Sequence, residues 1–595
     1  MSTPAASQTI TSPLAGTVVF VGAEGARIEA GAPVAIIDSM KMEHEVGAPC
    51  DGIVMAALVG VGDAVGEGAE LVRFAHAAMP RAASASGARP ASPAGERADL
   101  AEVLERRRRG LDSSRPEALA RRRARHRRSA RENLADLVDA GSFIEFGPVV
   151  VAAQRARRDL AELIERTPAD GLVGGIATVN AGRTRAADHR CVVASYDYMV
   201  LAGTQGQHNH MKKDRLFELA RRMSLPVVLF TEGGGGRPGD TDFPGVSWLD
   251  CAAFALFGEL AGKVPTIGVN AGYCFAGNAA LLGSCDVIVA TADSNIGMAG
   301  PAMIEGGGLG SFSPQQIGPS QVQTANGVID VLVADEAEAI AAARMLIGYV
   351  QGDLAQRDCH DQRALRDLVP ENRLRVYDMN TVIDTLVDRG SRLDLRRSWT
   401  PGMITCFARI EGRALGLIAN NPQHLSGAID HGAATKAGDF MQLCDRWKIP
   451  LLFLCDTPGF MVGPDSDAQG LVRSAGTLFR LGANLGVPFA TVVIRKAYGL
   501  GAQAMAGGGL KEPLFAVSWP TGEFGPMGLE GAVRLGYARE LAAKPEGGAR
   551  DALFDELVGR MYERGHALNV ASHFEIDDVI DPAETRRWIT TILLK

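Results

Sequence analysis

The chain has 595 residues, of which 46% are hydrophobic and 22% are charged, and its net charge at pH 7 is −8. Such a length exceeds one typical domain, while the composition is that of an ordinary globular protein. The acidic balance argues against a nucleic-acid-binding protein, because that class needs basic residues to displace phosphate counterions.

Two further features bear on the compartment. The first ten residues contain neither a basic region nor an apolar run, and no apolar stretch of about 20 residues is present. We therefore expect a cytoplasmic protein with no membrane partner. The nine cysteines are scattered without a Cys-x-x-Cys pair, which favours a reducing compartment and predicts no structural metal site.

Residues 12–74 predict a small all-β unit built from two similar halves. Short runs rich in Val and Ile alternate with Gly and Pro, as in strands separated by turns. The tetrapeptide Pro-Leu-Ala-Gly at 13–16 is echoed by Pro-Cys-Asp-Gly at 49–52, 36 residues later. A repeat of this kind predicts a pseudo-symmetric fold.

The midpoint of this repeat is Met40-Lys41-Met42. A lysine between two methionines, flanked by two Gly-rich β halves, resembles the attachment site of biotinyl carrier domains. That resemblance implies that a biotin protein ligase biotinylates Lys41 and that Met40 and Met42 lie beside the cofactor. The related lipoyl domains usually carry Asp-Lys-Ala here. The alternative is an ordinary exposed lysine in a turn.

Two segments connect this unit, 1–75, to the rest of the chain. Residues 76–98 are mostly Ala, Pro, Ser, Gly and Arg and predict a flexible linker that lets a carrier visit two sites. Residues 99–135 predict helices, with twelve arginines between Arg106 and Arg131. These arginines either bind nucleotide phosphates such as those of coenzyme A or, as we favour, pair with acidic neighbours.

The remaining chain repeats itself at long range. The segment at 225–230 matches 449–454, and 264–269 matches 487–492. In both halves apolar β runs alternate with helical stretches, which predicts mainly parallel sheets with right-handed crossovers. We therefore expect an α/β fold with two lobes, an N-lobe at 99–370 and a C-lobe at 371–595.

One Gly-rich turn in each lobe directly follows an apolar strand. These turns lie at 275–279, Phe-Ala-Gly-Asn-Ala, and at 498–502, Tyr-Gly-Leu-Gly-Ala. Backbone N–H groups at a strand-to-helix turn can stabilise negative charge on a carbonyl oxygen by several kcal/mol. Their occurrence in both lobes is a stronger signal than either turn alone.

Residues 99–595 resemble the carboxyltransferase subunit of biotin-dependent acyl-CoA carboxylases, which has two crotonase-like lobes in one chain. The best-matching segments are Arg-Lys-Ala-Tyr-Gly at 495–499, Asp-Thr-Pro-Gly-Phe at 456–460 and Trp-Pro-Thr-Gly-Glu at 519–523. The resemblance implies transfer of a carboxyl group from carboxybiotin on Lys41 to the α-carbon of an acyl-CoA thioester, through an enolate. A biotin-dependent decarboxylase component is the alternative.

The resemblance also implies the site residues. The N-lobe turn would hold the thioester oxygen and the C-lobe turn the biotin ureido oxygen. The chain departs from the family at Asn278, where Gly is usual, at Leu500, and at 233–237, where Ser-Gly-Gly-Ala-Arg is typical. The implied residues are Gly277, Asn278, Gly501 and Ala502 for catalysis, Tyr498 and Gly499 for biotin, and Gly234, Gly235, Ala276 and Ala504 for substrate.

Other expectations concern partners. No segment resembles an ATP-grasp domain, so a separate ATP-dependent biotin carboxylase is expected, and the family implies a homohexamer with active sites between protomers. His208 and His210, beside Lys212 and Lys213, are interpreted as a polar surface or a loop facing coenzyme A rather than as metal ligands. Ala504 would leave room for an acyl group larger than acetyl.

Overall fold

The computed structural model describes residues 7–78, 97–237, 239–243, 250–355 and 357–594. Contacts within the chain divide it into two units, Met1–Arg97 and Ala98–Lys595. Most of the predicted linker lies at 79–96, outside the described residues, so it stays a prediction. No helix in the described ranges is both long and apolar enough to cross a membrane.

The first unit consists of two antiparallel four-stranded sheets, ordered β1-β8-β6-β3 and β5-β4-β2-β7. If four is added to each strand number of the second sheet, counting cyclically through the eight strands, the result is the strand order of the first sheet. The two halves of the unit therefore have the same topology, as the sequence repeat predicts. The strands are β1 (Ser7–Thr11), β2 (Gly16–Val21), β3 (Arg27–Ile28), β4 (Pro33–Ser39), β5 (Met42–Gly47), β6 (Gly52–Ala57), β7 (Ala64–Val65) and β8 (Glu70–His76).

The repeated glycines of this unit have the same structural cause. A Cβ atom at Gly16 in β2 would overlap the carbonyl oxygen of Asp38 in β4. A Cβ atom at Gly52 in β6 would overlap the carbonyl oxygen of Ala75 in β8. Each glycine therefore lets two strands approach at an equivalent position of the pseudo-symmetric sandwich.

The second unit begins with helices and a seven-stranded sheet, ordered β17-β15-β13-β12-β11-β10-β9. Its strands are β9 (Ile144–Glu145), β10 (Leu172–Thr178), β11 (Arg190–Tyr196), β12 (Val227–Phe230), β13 (Thr266–Asn270), β14 (Tyr273–Phe275), β15 (Val287–Thr291), β16 (Asn295–Gly297) and β17 (Val331–Val333). Its helices are α1 (Ala98–Arg109), α2 (Pro116–Arg123), α3 (Ala130–Leu137), α4 (Leu160–Arg166), α5 (Gln207–Met223), α6 (Ala253–Gly258), α7 (Gly277–Gly283), α8 (Pro301–Gly306), α9 (Ser320–Ala325) and α10 (Glu336–Val350).

The C-lobe repeats this plan around the order β18-β19-β20-β21-β22-β23-β25. Its strands are β18 (Leu393–Leu395), β19 (Met403–Ile410), β20 (Arg413–Asn420), β21 (Leu451–Thr457), β22 (Phe489–Tyr498), β23 (Ala516–Ser518), β24 (Glu523–Gly525) and β25 (Asp578–Val579). Its helices are α11 (Leu365–Leu368), α12 (Met379–Leu386), α13 (His431–Trp447), α14 (Pro464–Ala468), α15 (Leu471–Gly482), α16 (Gly499–Ala504), α17 (Leu529–Gly536), α18 (Ala538–Ala542), α19 (Gly548–Gly565), α20 (Ala567–Ser572) and α21 (Thr585–Trp588). Short 3₁₀ turns lie at Asp112–Ser114, Pro168–Gly171, Leu201–Gly203, Pro314–Gln316, Gln362–Ala364, Leu425–Gly427 and Pro582–Glu584, and a π-helical turn lies at Ile589–Leu593.

The two sheets correspond strand by strand. In each, the first strands pair antiparallel and the following central strands pair parallel. The parallel pair β14–β16 in the N-lobe corresponds to β22–β24 in the C-lobe. The prediction of two α/β lobes with crotonase-like topology is therefore confirmed.

A shared hydrophobic core joins the lobes. The Tyr349 ring, at the end of α10, lies 5.3 Å from the Phe407 ring in β19. The Trp447 ring of α13 stacks on Phe407 at 5.3 Å, and its Nε1 donates a hydrogen bond of 3.1 Å to Asp286 of the N-lobe. Burial of these large aromatic rings fixes the two sheets against each other.

Candidate active site

The N-lobe turn lies between β14 and α7. Ala276 adopts φ 51° and ψ −122°, a backbone conformation that residues with a side chain rarely adopt. Gly277 and Asn278 are consequently the first two residues of α7. The N–H groups of a first helical turn have no acceptor within the helix, so both amides can bind an oxygen from outside.

The C-lobe makes the same turn between β22 and α16. Gly499 has φ 55°, close to that of its N-lobe counterpart. The strand register fixes the correspondence, because Phe275 pairs with Gly297 in one lobe and Tyr498 pairs with Gly525 in the other. The residue that follows each of these strand ends makes the turn.

This register determines which C-lobe amides match those of the N-lobe. The residues equivalent to Gly277 and Asn278 are Leu500 and Gly501, one position earlier than the predicted pair Gly501 and Ala502. Ala502 is the fourth residue of α16, where a helical N–H meets the carbonyl of the residue before the helix. The strand register therefore makes Leu500 and Gly501 the structural equivalents of Gly277 and Asn278.

A second loop packs against each turn: the loop that contains Gly459 in the C-lobe and the loop that contains Gly235 in the N-lobe. A Cβ atom at Gly501 would lie 2.6 Å from the Cα of Gly459, so only glycine permits this approach. In the N-lobe, a Cβ atom at Gly235 would lie 2.7 Å from the Cβ of Ala276. Gly235 is buried, whereas Gly234 is exposed beside it.

Three buried side chains connect the N-lobe turn to the interior of the lobe. The Nζ of Lys213 and the Nε2 of Gln205 each lie 2.9 Å from the hydroxyl of Tyr196. The Gln205 side chain lies against Gly277, because a Cβ there would be 2.8 Å from its Oε1. Burial lowers the pKa of Lys213 to about 7 and raises the pKa of Tyr196.

These lysines and histidines correct one expectation. His210, Lys212 and Lys213 are buried on α5 rather than forming a polar surface. Burial lowers the pKa of His210 to about 3, and the Nδ1 of His208 lies 2.7 Å from the carbonyl oxygen of Val151. Within the described ranges, no group of three His, Cys, Asp or Glu side chains is arranged to hold a metal ion.

A buried carboxylate anchors the C-lobe loop that carries Gly459. Asp456 accepts hydrogen bonds from the hydroxyl of Tyr377 and the Nζ of Lys496, both at 2.7 Å. The guanidinium of Arg495 lies 3.5 Å from the same carboxylate and over the Tyr377 ring. Sequence reasoning noted the segments at 456–460 and 495–499, but it missed Tyr377, which carries no local signal.

The segment at 519–523 also reaches the C-lobe turn. The hydroxyl of Tyr498 donates a hydrogen bond of 2.9 Å to Glu523, and burial raises the pKa of that phenol. Trp519 is buried, and its Nε1 donates a hydrogen bond of 3.0 Å to Thr585. This segment therefore fixes the strand that ends at the turn.

Several arginines at 106–131 pair with acidic residues of the N-lobe. Two largely buried ion pairs join Arg115 to Asp197 at 2.6 Å and Arg122 to Glu232 at 2.8 Å. Glu232 directly precedes the glycines at 233–236, and burial raises its pKa although Arg122 opposes this. These pairs agree with the interpretation that the basic segment complements acidic neighbours.

A cavity of about 440 Å³ lies beside α16. Ala502 and Gln503 line it together with apolar side chains of Phe524, Leu529 and Met561. Ala504, the predicted contact for the acyl group, is 2% exposed and is not part of this lining.

The first unit presents its own candidate site at the turn between β4 and β5. Ser39 pairs with Met42, so Met40 and Lys41 form a two-residue hairpin turn with φ values of 54° and 68°. Positive φ at both central residues is the type I′ geometry, which usually selects Gly or Asn. Lys41 is exposed and the Met40 side chain is 95% exposed, so the lysine amine is accessible to a modifying enzyme.

Two crotonase-like lobes with paired strand-to-helix turns, in one chain with an exposed lysine hairpin, define a biotin-dependent carboxyltransferase. Residues 121–593 match the carboxyl transferase domain family, and residues 1–74 match the biotin-requiring enzyme family. The chain therefore belongs to the carboxyl transferase family, and biotin is its cofactor.

Individual relatives are also carboxyltransferases or carboxylases. The methylmalonyl-CoA carboxyltransferase 12S subunit of Propionibacterium freudenreichii subsp. shermanii is 31% identical over 484 residues, 78% of this chain and 88% of the relative. A crystal structure of transcarboxylase 12S, described as a hexamer assembly with methylmalonyl-CoA bound, has a TM-score of 0.73 at 28% identity, over 84% of this chain and 95% of that one. A single-chain, multi-domain long-chain acyl-CoA carboxylase has a TM-score of 0.81 at 51% identity; the match covers 100% of this chain but only 56% of that one.

Proposed function

We propose that this chain moves a carboxyl group from biotin on Lys41 to the α-carbon of an acyl-CoA, as the carboxyltransferase component of an acyl-CoA carboxylase. The observation that carries the proposal is the pair of equivalent strand-to-helix turns, one in each lobe, in a chain that also carries a biotin-type hairpin. In this reaction negative charge develops on two oxygens, that of the thioester and that of the biotin ureido group, and each turn can stabilise one of them.

The hairpin suits covalent attachment of the cofactor. Lys41 stands in the tight turn between β4 and β5 and is exposed to solvent there. Met40 and Met42 are 95% and 65% exposed and offer apolar surface beside it. Biotin bound there would carry a carboxyl group added beforehand, and its ureido nitrogen, once that group has left, would accept the α-proton of the acyl-CoA.

The N-lobe turn binds the thioester. The amides of Gly277 and Asn278 donate to the thioester oxygen and stabilise the negative charge that develops there when the α-proton leaves. Ala276 makes the turn that aims them, and Gly235 allows the supporting loop to approach.

The C-lobe turn holds the biotin ureido oxygen. By strand register its donors are the amides of Leu500 and Gly501, with Gly499 making the turn and Tyr498 bonded to Glu523 behind it. The cavity beside α16, lined by Ala502 and Gln503, is the space we assign to part of the acyl group.

The partners follow from the same proposal. We infer that a biotin carboxylase supplies the ATP-dependent carboxylation of biotin, since the described residues of the two lobes form crotonase-like folds only, and that a biotin protein ligase modifies Lys41. The single-chain relative illustrates the other arrangement, in which one multi-domain chain carries the whole carboxylase. The hexamer described for transcarboxylase 12S supports a homohexamer here.

The reaction in reverse tests the proposal without a partner. The purified chain is mixed with free biotin and a panel of malonyl-CoA, methylmalonyl-CoA and longer carboxyacyl-CoAs, and release of the decarboxylated acyl-CoA is followed. We expect biotin-dependent turnover of at least one member. Lys41→Arg should abolish biotinylation, read on a streptavidin blot, yet keep the reaction with free biotin. A folded, oligomeric sample inactive on the whole panel would contradict the proposal.

A biotin-dependent decarboxylase component would pass this reverse test too. The two functions separate in the forward direction, with biotin carboxylase, ATP and bicarbonate added. A carboxylase component yields carboxyacyl-CoA from acyl-CoA in that mixture. A decarboxylase component would instead copurify with, and depend on, a membrane subunit.

A further inference from the structure

The side chain of Asn278 contacts the residues that form the N-lobe turn, although only the backbone N–H of Asn278 was predicted to act. Asn278 is fully buried. Its Oδ1 accepts a hydrogen bond of 3.1 Å from the N–H of Gly235. Its Nδ2 donates to the carbonyl oxygens of Gly203 and Thr231, both at 3.3 Å. One carboxamide therefore ties two loops to the first turn of α7.

This arrangement requires glycine at position 233. A Cβ atom at Gly233 would overlap both the Nδ2 of Asn278 and the carbonyl oxygen of Gly203. The space that a side chain at 233 would fill is thus occupied by the Asn278 carboxamide together with the Gly203 carbonyl oxygen that this carboxamide holds in place. The two departures from the family, at 233 and at 278, are complementary.

The C-lobe provides an internal reference for the same hydrogen bond. Gly203 and Gly427 hold equivalent places, because both have positive φ and a Cβ atom at either would overlap a backbone carbonyl oxygen, that of Glu232 in the N-lobe or that of Asp456 in the C-lobe. Position 457 therefore corresponds to 233, and 459 corresponds to 235.

In the C-lobe the side chain comes from Thr457, at the end of β21, and the helix α16 leaves space for it. The hydroxyl oxygen of Thr457 accepts a hydrogen bond of 3.1 Å from the N–H of Gly459. The helix residue opposite is Gly501, which has no side chain. The N–H of the supporting loop is thus satisfied in both lobes, by Thr457 Oγ1 in one and by Asn278 Oδ1 in the other.

We propose that Asn278 is a positioning residue of the N-lobe turn, and that Gly233 and Asn278 form an exchangeable pair whose mirror arrangement is Thr457 and Gly501. The carboxamide fixes the N–H of Gly235 and the Gly203 carbonyl, so that the amides at the start of α7 keep their aim on the thioester oxygen. This inference rests on the proposed function for its chemistry, but its geometry can be tested independently.

The test exchanges the pair. Asn278→Gly removes the three hydrogen bonds, and Gly233→Thr forces a side chain into filled space. Each single change should lower kcat about 10- to 100-fold in the free-biotin reaction with little change in KM, because the aim of the donors is lost rather than the binding surface. The double variant Gly233→Thr/Asn278→Gly rebuilds the C-lobe pattern and should recover to within about 5-fold of the unmodified protein.

Amide hydrogen exchange reads the geometry without turnover. Peptides covering 201–206 and 231–236 should exchange faster in both single variants and return to the original rate in the double variant. The control is Asn180→Gly, which removes another buried asparagine bonded to Arg344 and Gln351. That change should lower stability but leave kcat and exchange of both peptides unaltered.

The outcomes separate the two proposals. Recovery of slow exchange in the double variant supports the exchangeable pair even if no carboxyacyl-CoA is turned over, a result that would sink only the proposed function. If the two substitutions act independently, the fold-changes in exchange rate and in kcat of the double variant will equal the products of those of the single variants. That result would overturn the inference.

Discussion

The strand-to-helix turns of the two lobes have similar backbones but are supported by different contacts. Both place a residue with positive φ between a strand and a helix, Ala276 in the N-lobe and Gly499 in the C-lobe. Behind that turn, the C-lobe packs Gly501 directly on the backbone of Gly459, whereas the N-lobe equivalent of Gly501, Asn278, accepts a hydrogen bond from the N–H of Gly235 through its side chain. A repeated backbone can therefore conserve the direction of its amides while its supporting contacts diverge.

The lobes agree more closely on the helices α5 and α13, which have equal length and are each followed by a residue with positive φ. Lys212 and Lys436 occupy equivalent positions, and each ammonium donates to two backbone carbonyl oxygens in the segment that leads into an antiparallel strand, β10 or β19. Burial lowers the pKa of Lys212 to about 8 and that of Lys436 to about 7. The lobes thus share a buried cation as a structural device.

The largest effect is expected for Gly501→Ala. Its Cβ would lie 2.6 Å from the Cα of Gly459, a backbone atom that cannot move aside cheaply. We expect about a 100-fold loss of kcat in the free-biotin reaction, because the C-lobe donors are displaced. The control is Gly476→Ala, also in a C-lobe helix but in open space, which should keep full activity. Equal activity of Gly501→Ala and Gly476→Ala would show that the contact of Gly501 with the backbone of Gly459 is not needed to position the C-lobe donors.

A smaller effect is expected for Gly277→Ala. Its Cβ would lie 2.8 Å from the Oε1 of Gln205, the end of a side chain that can adjust. We expect a loss of about 10-fold in kcat, less than for the C-lobe change. Adding Gln205→Ala should reduce that loss, which is measured as a double-mutant cycle on kcat. A loss that is unaffected by Gln205→Ala would show that the side chain is not the obstacle.

The smallest effect concerns pH. In the folded protein Lys436 prefers to be neutral above about pH 7, whereas in the unfolded chain it stays protonated until its ordinary pKa of 10.5. The unfolded state therefore binds more protons between these values, and this lysine makes stability rise with pH by up to about 1.4 kcal/mol per unit. Lys436→Met should remove that slope.

Urea unfolding at pH 7, 8 and 9 measures the slope. The difference in unfolding free energy between the native protein and Lys436→Met should shift in favour of the native protein as pH rises. Lys448→Met, which changes an exposed lysine at the end of the same helix, should leave the slope unchanged. A pH-independent difference for Lys436→Met would mean that the ammonium stays charged when buried.

Local patterns were sufficient for much of the molecule. The repeat around Met40-Lys41-Met42 predicted the pseudo-symmetric sandwich, because period-2 strands and Gly turns are encoded by neighbouring residues. The alternation of apolar runs and helices predicted the two lobes, and the family resemblance predicted the carboxyltransferase. Placement of the arginines, in contrast, depended on acidic partners distant in the chain, such as Asp197 and Glu232.

The sequence by itself determined the fold class, the family and the presence of a Gly-rich turn in each lobe, since these follow from periodicity and motifs that neighbouring residues carry. Only the tertiary structure decided which amides correspond, because the register of β14 with β16 and of β22 with β24 aligns Gly277 with Leu500 rather than with Gly501. The tertiary structure also showed that the Asn278 side chain lies where a side chain at position 233 would be. Their contact joins a helix to a distant loop, and the exclusion of one side chain by another exists only once both occupy the same space.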